Sequence, residues 1–291
     1  MSRTRNRFAR VMALSATSVG AAIVASACVA GSEASQESTA GPRAAVSDTT
    51  IPAAILGQGV APRGEAVHYL ESDPATRGYV AVPEGEGPFP AIILIHEWNG
   101  LVDRVRQVAD ALADEGYVAF AADLYHGQTG TNRSENVALM EEARADPGAM
   151  IANLDAATGW LKARGDVTGR VGAVGWCFGG GVALSFGLDG VDHEATAIFY
   201  GSLIDDPERL ATLSHEVYGT FGELDNGIPE SQVRAFAGAL QQAGIENDIH
   251  VYEGVGHGFW LWVERDPEAA TEPARDAWRR LREYFARTLG D

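Results

Sequence analysis

Apolar and polar positions along the chain fall into blocks whose period alternates. Residues 90–95 (Pro-Ala-Ile-Ile-Leu-Ile) are an unbroken apolar run, the pattern of a strand covered on both faces. Residues 117–121, 170–174, 196–200, 216–221 and 248–252 read as further strands. Between them, Val105, Val108, Ala109 and Leu112 recur at helical spacing, which predicts a helix over 103–115 that stops at Gly116. Helices are also predicted over 134–144 and 149–164, separated by Asp146-Pro147-Gly148. Others run from the glycine-rich stretch near 180 to about 188, over 229–243, and over 267–289. Residues 66–71 and 78–82 suit an opening hairpin. Strands alternating with helices imply an α/β fold with a doubly wound, mostly parallel sheet and helices on both faces. No repeat and no second domain is visible.

The first 27 residues follow a different pattern. Arg3, Arg5, Arg7 and Arg10 precede an uncharged stretch rich in Ala, Val and Ser, which ends at Ala25-Ser26-Ala27-Cys28. A basic start, an apolar middle and a small-residue exit are the marks of an export signal over 1–27. The stretch is short and Ala/Ser-diluted for a membrane-spanning helix. A small residue before Cys28 also resembles a lipobox, whose cysteine becomes a lipidated N-terminus. Residues 28–60, rich in Ser, Ala, Thr and Gly, would then form a flexible tether, with the folded domain over 61–291. The expected location is the cell envelope, as a lipoprotein, with a soluble periplasmic or secreted protein as the alternative. Contact with a membrane is expected only through that lipid.

Composition narrows the classes of function. Hydrophobic residues make up 46% of 291, enough for a full core. The formal net charge of −18 becomes −22 once the four leader arginines are removed, and this argues against a nucleic-acid partner. Two cysteines cannot build a disulfide framework. No Cys/His cluster has metal-ligand spacing, and His96-Glu97 lacks the second histidine of a zinc helix, so no metal is expected.

The chemistry centres on Gly175-x-Cys177-x-Gly179, between a buried strand and a helix. This is the nucleophile-elbow pattern with cysteine in place of serine. Its glycines permit a tight turn that lifts the sulfur above the sheet and aims a helix N-terminus at it. An elbow calls for an acid and then a histidine, each after a later strand. Asp225, in Gly222-Glu223-Leu224-Asp225, and His257, in Gly256-His257-Gly258-Phe259, meet that order, with Glu223 as the rival acid. The loop after the 90–95 strand supplies the second oxyanion donor in such folds, so the Trp98 and Phe178 amides form the expected pair.

Together, His-Glu-x-x-Gly at 96–100, Ala-Asp-Leu-Tyr at 122–125, Gly-x-Cys-x-Gly-Gly at 175–180, Gly-x-x-Asp at 222–225 and Gly-His-Gly-Phe at 256–259 resemble the dienelactone hydrolase family. The match spans roughly 63–289. The resemblance implies an α/β-hydrolase fold, a Cys177–Asp225–His257 triad, and hydrolysis of a small-molecule ester or lactone without a cofactor. It further implies that Glu97 sits near the resting thiol and helps to generate the thiolate. Tyr125, Trp260 and Leu261 are assigned to substrate binding, with Trp98 and Trp262 nearby as an apolar rim. Dienelactone-specific members hold a substrate carboxylate with arginine four residues after the histidine. Here that position is Leu261, and Arg133 and Arg144 are the candidates for a second arginine. A neutral ester or lactone is therefore the expected substrate. The same triad would also serve an acyltransferase or a thioesterase, and the fold could belong to an exported binding protein.

The leader generates a first prediction. Mass spectrometry of the protein from its own host should find the chain starting at a diacylglyceryl-modified Cys28; an unmodified start after Ala27 or Ala30 would move it to the soluble exported class.

Overall fold

The computed structural model describes residues 50–290. The leader, Cys28 and most of the tether lie outside the described residues. Eight strands form one sheet: β1 (Glu65–Val67), β2 (Gly78–Ala81), β3 (Phe89–Ile95), β4 (Val118–Ala122), β5 (Val167–Trp176), β6 (Ala195–Phe199), β7 (Val217–Gly222) and β8 (Asn247–Tyr252). Their spatial order is β1-β2-β4-β3-β5-β6-β7-β8. The opening hairpin is antiparallel and joins β4 antiparallel, whereas the six strands from β4 to β8 run parallel.

Parallel neighbours need crossovers, and the helices supply them. Helix α1 (Asp103–Asp114) links β3 to β4. Helices α2 (Arg133–Arg144) and α3 (Pro147–Lys162) link β4 to β5, and α4 (Phe178–Asp189) follows β5. A short α5 (Pro207–Leu210), then α6 (Glu230–Ala243) and α7 (Pro267–Leu289), complete the set. Alternation along β3 sorts the core into two layers. Ile92 and Leu94 face one side, in a cluster with Val105 and Val108 of α1 and Trp278, Leu281 and Phe285 of α7. Ala91, Ile93 and Ile95 face the other, with Leu154 and Leu161 of α3 and Val182 and Phe186 of α4. Farther along, Leu184, Leu210, Val233 and Phe236 pack with Ile198 and Phe221. This is the α/β-hydrolase architecture.

Three details depart from the sequence reading. Strand β5 runs to ten residues because its pairing with β3 resumes at Phe89 and Val167 beyond an irregularity. Helix α5 is a single turn capped by Asp206, too short to leave a periodic signature. The packed domain also starts before residue 61: Ile51, Ala54 and Ile55 are buried in the α1/α7 layer. The apolar pair Ile51 and Ile55, one helical turn apart, draws this end of the tether into the core. Among the described residues, no helix is long and apolar enough to cross a membrane.

At the end of the sheet opposite the strand carboxyl ends, the buried His193 and the half-buried His215 lie side by side. His193 stacks on Phe186 at 4.2 Å and meets His215 edge-on at 4.8 Å, and His215 Nε2 lies 2.8 Å from Thr196 Oγ1. Burial pushes His193 down to about 3 and His215 down to about 4. Below the ordinary histidine value near 6.5 the unfolded chain takes up protons that the folded niche refuses. Stability is therefore lost as pH falls from about 6.5 toward those lower values. His215→Gln keeps a partner for Thr196 and removes one of the two titrating groups. The stability difference between pH 7 and pH 4.5, from denaturant unfolding, should shrink by roughly 1–2 kcal/mol; an unchanged difference would mean that His215 is not held neutral.

Candidate active site

Loops at the carboxyl ends of β3, β5 and β8 converge on one cleft of about 370 Å³. Its lining includes Glu97, Trp98, Cys177, His257, Trp262 and Arg265. Cys177 occupies the turn between β5 and α4 with φ +55° and ψ −116°, a conformation that side-chain-bearing residues rarely adopt. Its amide still bonds Phe199 O at 3.0 Å, while its carbonyl already accepts from Gly180 and Gly181 in the new helix. The chain thus leaves the sheet and enters the helix at a single residue.

Close backbone approach makes that turn possible. A Cβ on Gly175 would lie 2.0 Å from Gly179 O, and one on Gly179 would lie 2.2 Å from Ile95 O and 2.4 Å from His96 O. These obstacles are backbone and cannot swing aside. The bare Gly179 therefore lets the start of α4 rest against the end of β3, bringing the 96–100 loop beside Cys177.

Asp225 is buried beneath this surface. Its Oδ1 accepts from the Gly227 and Ile228 amides at 2.8 and 3.2 Å, and its Oδ2 lies 2.6 Å from His257 Nδ1. Burial works against the carboxylate, yet these three bonds hold it below the usual carboxylate range. The rival acid, Glu223, is exposed and accepts instead from the Gly254 amide at 3.0 Å. Burial likewise opposes charge on His257, but its bond to Asp225 and the influence of the Cys177 side chain outweigh this and push it up to about 10. Glu97 is also buried, and burial raises its carboxyl against the pull of the Trp262 indole, His257 and Arg265. Its Oε2 accepts from Trp262 Nε1 at 2.6 Å.

A family model of the dienelactone hydrolase family matches residues 76–289. The chain belongs to the dienelactone hydrolase family. Membership makes it a hydrolase of carboxylic ester or lactone bonds. Among its relatives is "Putative carboxymethylenebutenolidase" from Methylorubrum extorquens, 32% identical over 71% of this chain and 75% of the relative. Its fold is similar to that of a dienelactone hydrolase-like promiscuous phosphotriesterase from metagenomic libraries. The TM-score is 0.69 at 22% identity, covering 79% of this chain and all of the other. It also resembles an esterase from Thermogutta terrifontis, with a TM-score of 0.58 at 19% identity over 79% and 94% of the two chains.

In this dienelactone hydrolase family member, three residues assigned to substrate binding lie elsewhere. Trp260 is fully buried, stacked on Trp176 at 5.6 Å, and Leu261 is a core residue whose carbonyl is held by Arg104. Tyr125 is buried against His96 and Phe178 and lines a separate cavity of about 90 Å³ with Leu139 and Met150. The reason is local geometry. Gly258 (φ +80°) starts a turn in which Trp262 N–H bonds Gly258 O and Arg265 N–H bonds Trp262 O. That winding turns Trp260, Leu261 and Val263 inward and leaves Trp262 and Arg265 at the cleft.

Sequence reasoning missed Arg265, together with Asn99 and Asn136, which also line the cleft. The Arg265 guanidinium lies 4.4 Å over the Trp262 ring, and Arg104 lies 4.8 Å from the same ring. Of the two arginines singled out from sequence, Arg133 sits over Trp98 and Arg144 over Phe178, and neither lines the cleft. Among the described residues, no group of three or more His, Cys, Asp and Glu side chains is placed to hold a metal.

Proposed function

We propose that this hydrolase cleaves its ester or lactone through an acyl-enzyme on Cys177. His257 serves as the base, Asp225 orients it, and the Trp98 and Phe178 amides receive the oxyanion. The observation that carries this reading is the hydrogen bond from Asp225 to His257, with His257 and Cys177 lining the same cleft.

Sulfur attacks the carbonyl carbon with its proton already held by His257, whose charged form Asp225 favours. The tetrahedral oxygen is stabilised by amide donors, and neither the Trp98 nor the Phe178 amide has a backbone acceptor among the described residues. Collapse breaks the carbon–oxygen bond, and the alkoxide takes the proton from His257. Water then attacks the thioester, again losing its proton to His257, and releases the acid. Asp225 lies beneath the imidazole, where it fixes the tautomer and favours the charged form. Glu97, buried and biased toward its protonated form, keeps a second negative charge away from the sulfur while the enzyme idles.

Cys177→Ala should abolish hydrolysis of p-nitrophenyl esters, and labelling of Cys177 by iodoacetamide should track the loss of activity. His257→Ala should cost about a thousandfold or more in kcat, and Asp225→Asn somewhat less. Glu223→Gln should change little. Wild-type turnover in Cys177→Ala would overturn the mechanism, and a greater loss in Glu223→Gln than in Asp225→Asn would overturn the choice of acid.

Arg265 changes the substrate expected from the sequence. The neutral preference rested on Leu261 facing the substrate, and Leu261 is in the core. With Arg265 lining the cleft, the reading becomes an ester or lactone that carries an anionic group, with the guanidinium as its partner. Because Arg265 is exposed, the pair is screened and modest. Arg265→Gln should lower kcat/KM about fivefold for a carboxylate-bearing lactone such as dienelactone, while neutral p-nitrophenyl acetate is hydrolysed at an unchanged rate. Equal effects on the two substrates would remove Arg265 from substrate selection.

A further inference from the structure

His96 lies outside the set of hydrogen bonds just described, yet its imidazole is completely buried at the junction of three site loops. Nε2 accepts from the Leu124 amide at 3.1 Å, which fixes the tautomer, because an amide N–H can only donate. The proton must then sit on Nδ1, which lies 2.7 Å from Glu97 O and donates to it. Burial pushes the imidazole below the ordinary histidine value, so it stays neutral and keeps one donor and one acceptor. The ring packs edge-on to Tyr125 at 4.6 Å and lies along Phe178 at 6.2 Å, so it has no room to turn over.

The acceptor of that bond matters. Glu97 O is one end of the Glu97–Trp98 peptide, and the other end is the Trp98 N–H. In a trans peptide the C=O and N–H point in opposite directions, so holding one aims the other; the only cis bond among the described residues is Gly87–Pro88. Glu97 O receives a second donor, the Gly100 amide at 3.2 Å, which closes a turn that needs Gly100 at φ +89°. The carbonyl is thus drawn to the side occupied by His96, and the Trp98 N–H is turned away from it.

We infer that His96 is a positioning residue that holds the Glu97–Trp98 peptide so that the Trp98 amide is preset for the oxyanion. This rests on the reading of the Trp98 amide as an oxyanion donor. A bond made to backbone before substrate arrives costs no reorganisation during the reaction, which is the condition under which such donors contribute most. The Leu124 bond extends the same device: it ties the loop after β4 to the loop after β3 through one ring.

Two measurements test this. The first is kinetic and compares His96→Phe, which keeps the ring and loses both bonds, with His96→Gln, whose amide can still donate and accept. The substrates are p-nitrophenyl acetate and its thionoester, in which sulfur replaces the carbonyl oxygen. We expect His96→Phe to lose about ten- to hundredfold in kcat on the oxygen ester with KM within about threefold, the range for a misplaced oxyanion donor. The preference for the oxygen ester over the thionoester should fall in parallel, and His96→Gln should recover most of both. An unchanged kcat, or equal losses on the two esters, would overturn the inference.

The second uses wild-type protein and requires neither turnover nor a folded variant. Nitrogen-15 spectra of the histidines should show His96 protonated at Nδ1 alone between pH 5 and 8; the Nε2-protonated tautomer or an imidazolium would overturn it. Survival of hydrolysis in Cys177→Ala would instead overturn the mechanism and leave both His96 measurements as they stand.

Discussion

The backbone at Cys177 carries the constraint on which the other site elements depend. A residue with a side chain held at φ +55° costs about 1–3 kcal/mol and persists only where its surroundings over-determine it. Those surroundings are β5 and α4. Val171, Ala173, Val174 and Trp176 before the turn are completely buried, as are Ala183 and Phe186 after it. Burying Val174, Trp176 and Phe186 alone outweighs the local cost, at about 1.5–3 kcal/mol for each large side chain. The neighbouring strand repeats the device. Tyr200 follows β6 at φ +41°, and Gly201 passes so near that a Cβ would lie 2.2 Å from Gly180. The elbow is consequently set from both sides by contacts that no side-chain movement can relax.

From that fixed point the electrostatics follow. Cys177, Glu97 and His257 share one cleft, and the buried Asp225 lies behind the imidazole, a group that would repel itself if every acid were ionised. Different surroundings separate the acids. Asp225 accepts two amide bonds and the imidazole, which outweigh its burial. Glu97 has one indole N–H against a complete loss of solvent. One carboxyl is held charged beside His257, and the other, in the same cleft as Cys177, is biased toward neutrality. Two like groups acquire opposite tendencies from the balance of burial against hydrogen bonding.

Much of this was legible in the residues. The buried strands announced themselves through runs such as 90–95, and α7 was read at the bounds it has, 267–289, because Trp278, Leu281 and Phe285 keep one face. The elbow was legible because its glycines are obligatory, and sequence order pointed to Asp225 and His257, which share a hydrogen bond. What escaped was whatever depends on how a loop winds. Nothing in Phe259-Trp260-Leu261-Trp262 says which tryptophan faces the cleft, since both are large and apolar. The answer lies in two carbonyl–amide bonds, from Trp262 to Gly258 and from Arg265 to Trp262. For the same reason His96 read as part of His-Glu-x-x-Gly and as half of an absent zinc motif but with no role of its own, because its partners are the backbone atoms of Glu97 and Leu124 rather than side chains with a signature.

The surface charge and the cleft also act on different scales. A chain at −18 repels anions at long range, but at physiological ionic strength that field decays over about 8 Å. Lining the cleft is a guanidinium, that of Arg265, held over Trp262 by the face of its ring. The indole binds on three sides: Arg265 and Arg104 contact its ring, and its N–H donates to Glu97. At that range the local contacts of one tryptophan, rather than the net charge, set the field a substrate meets.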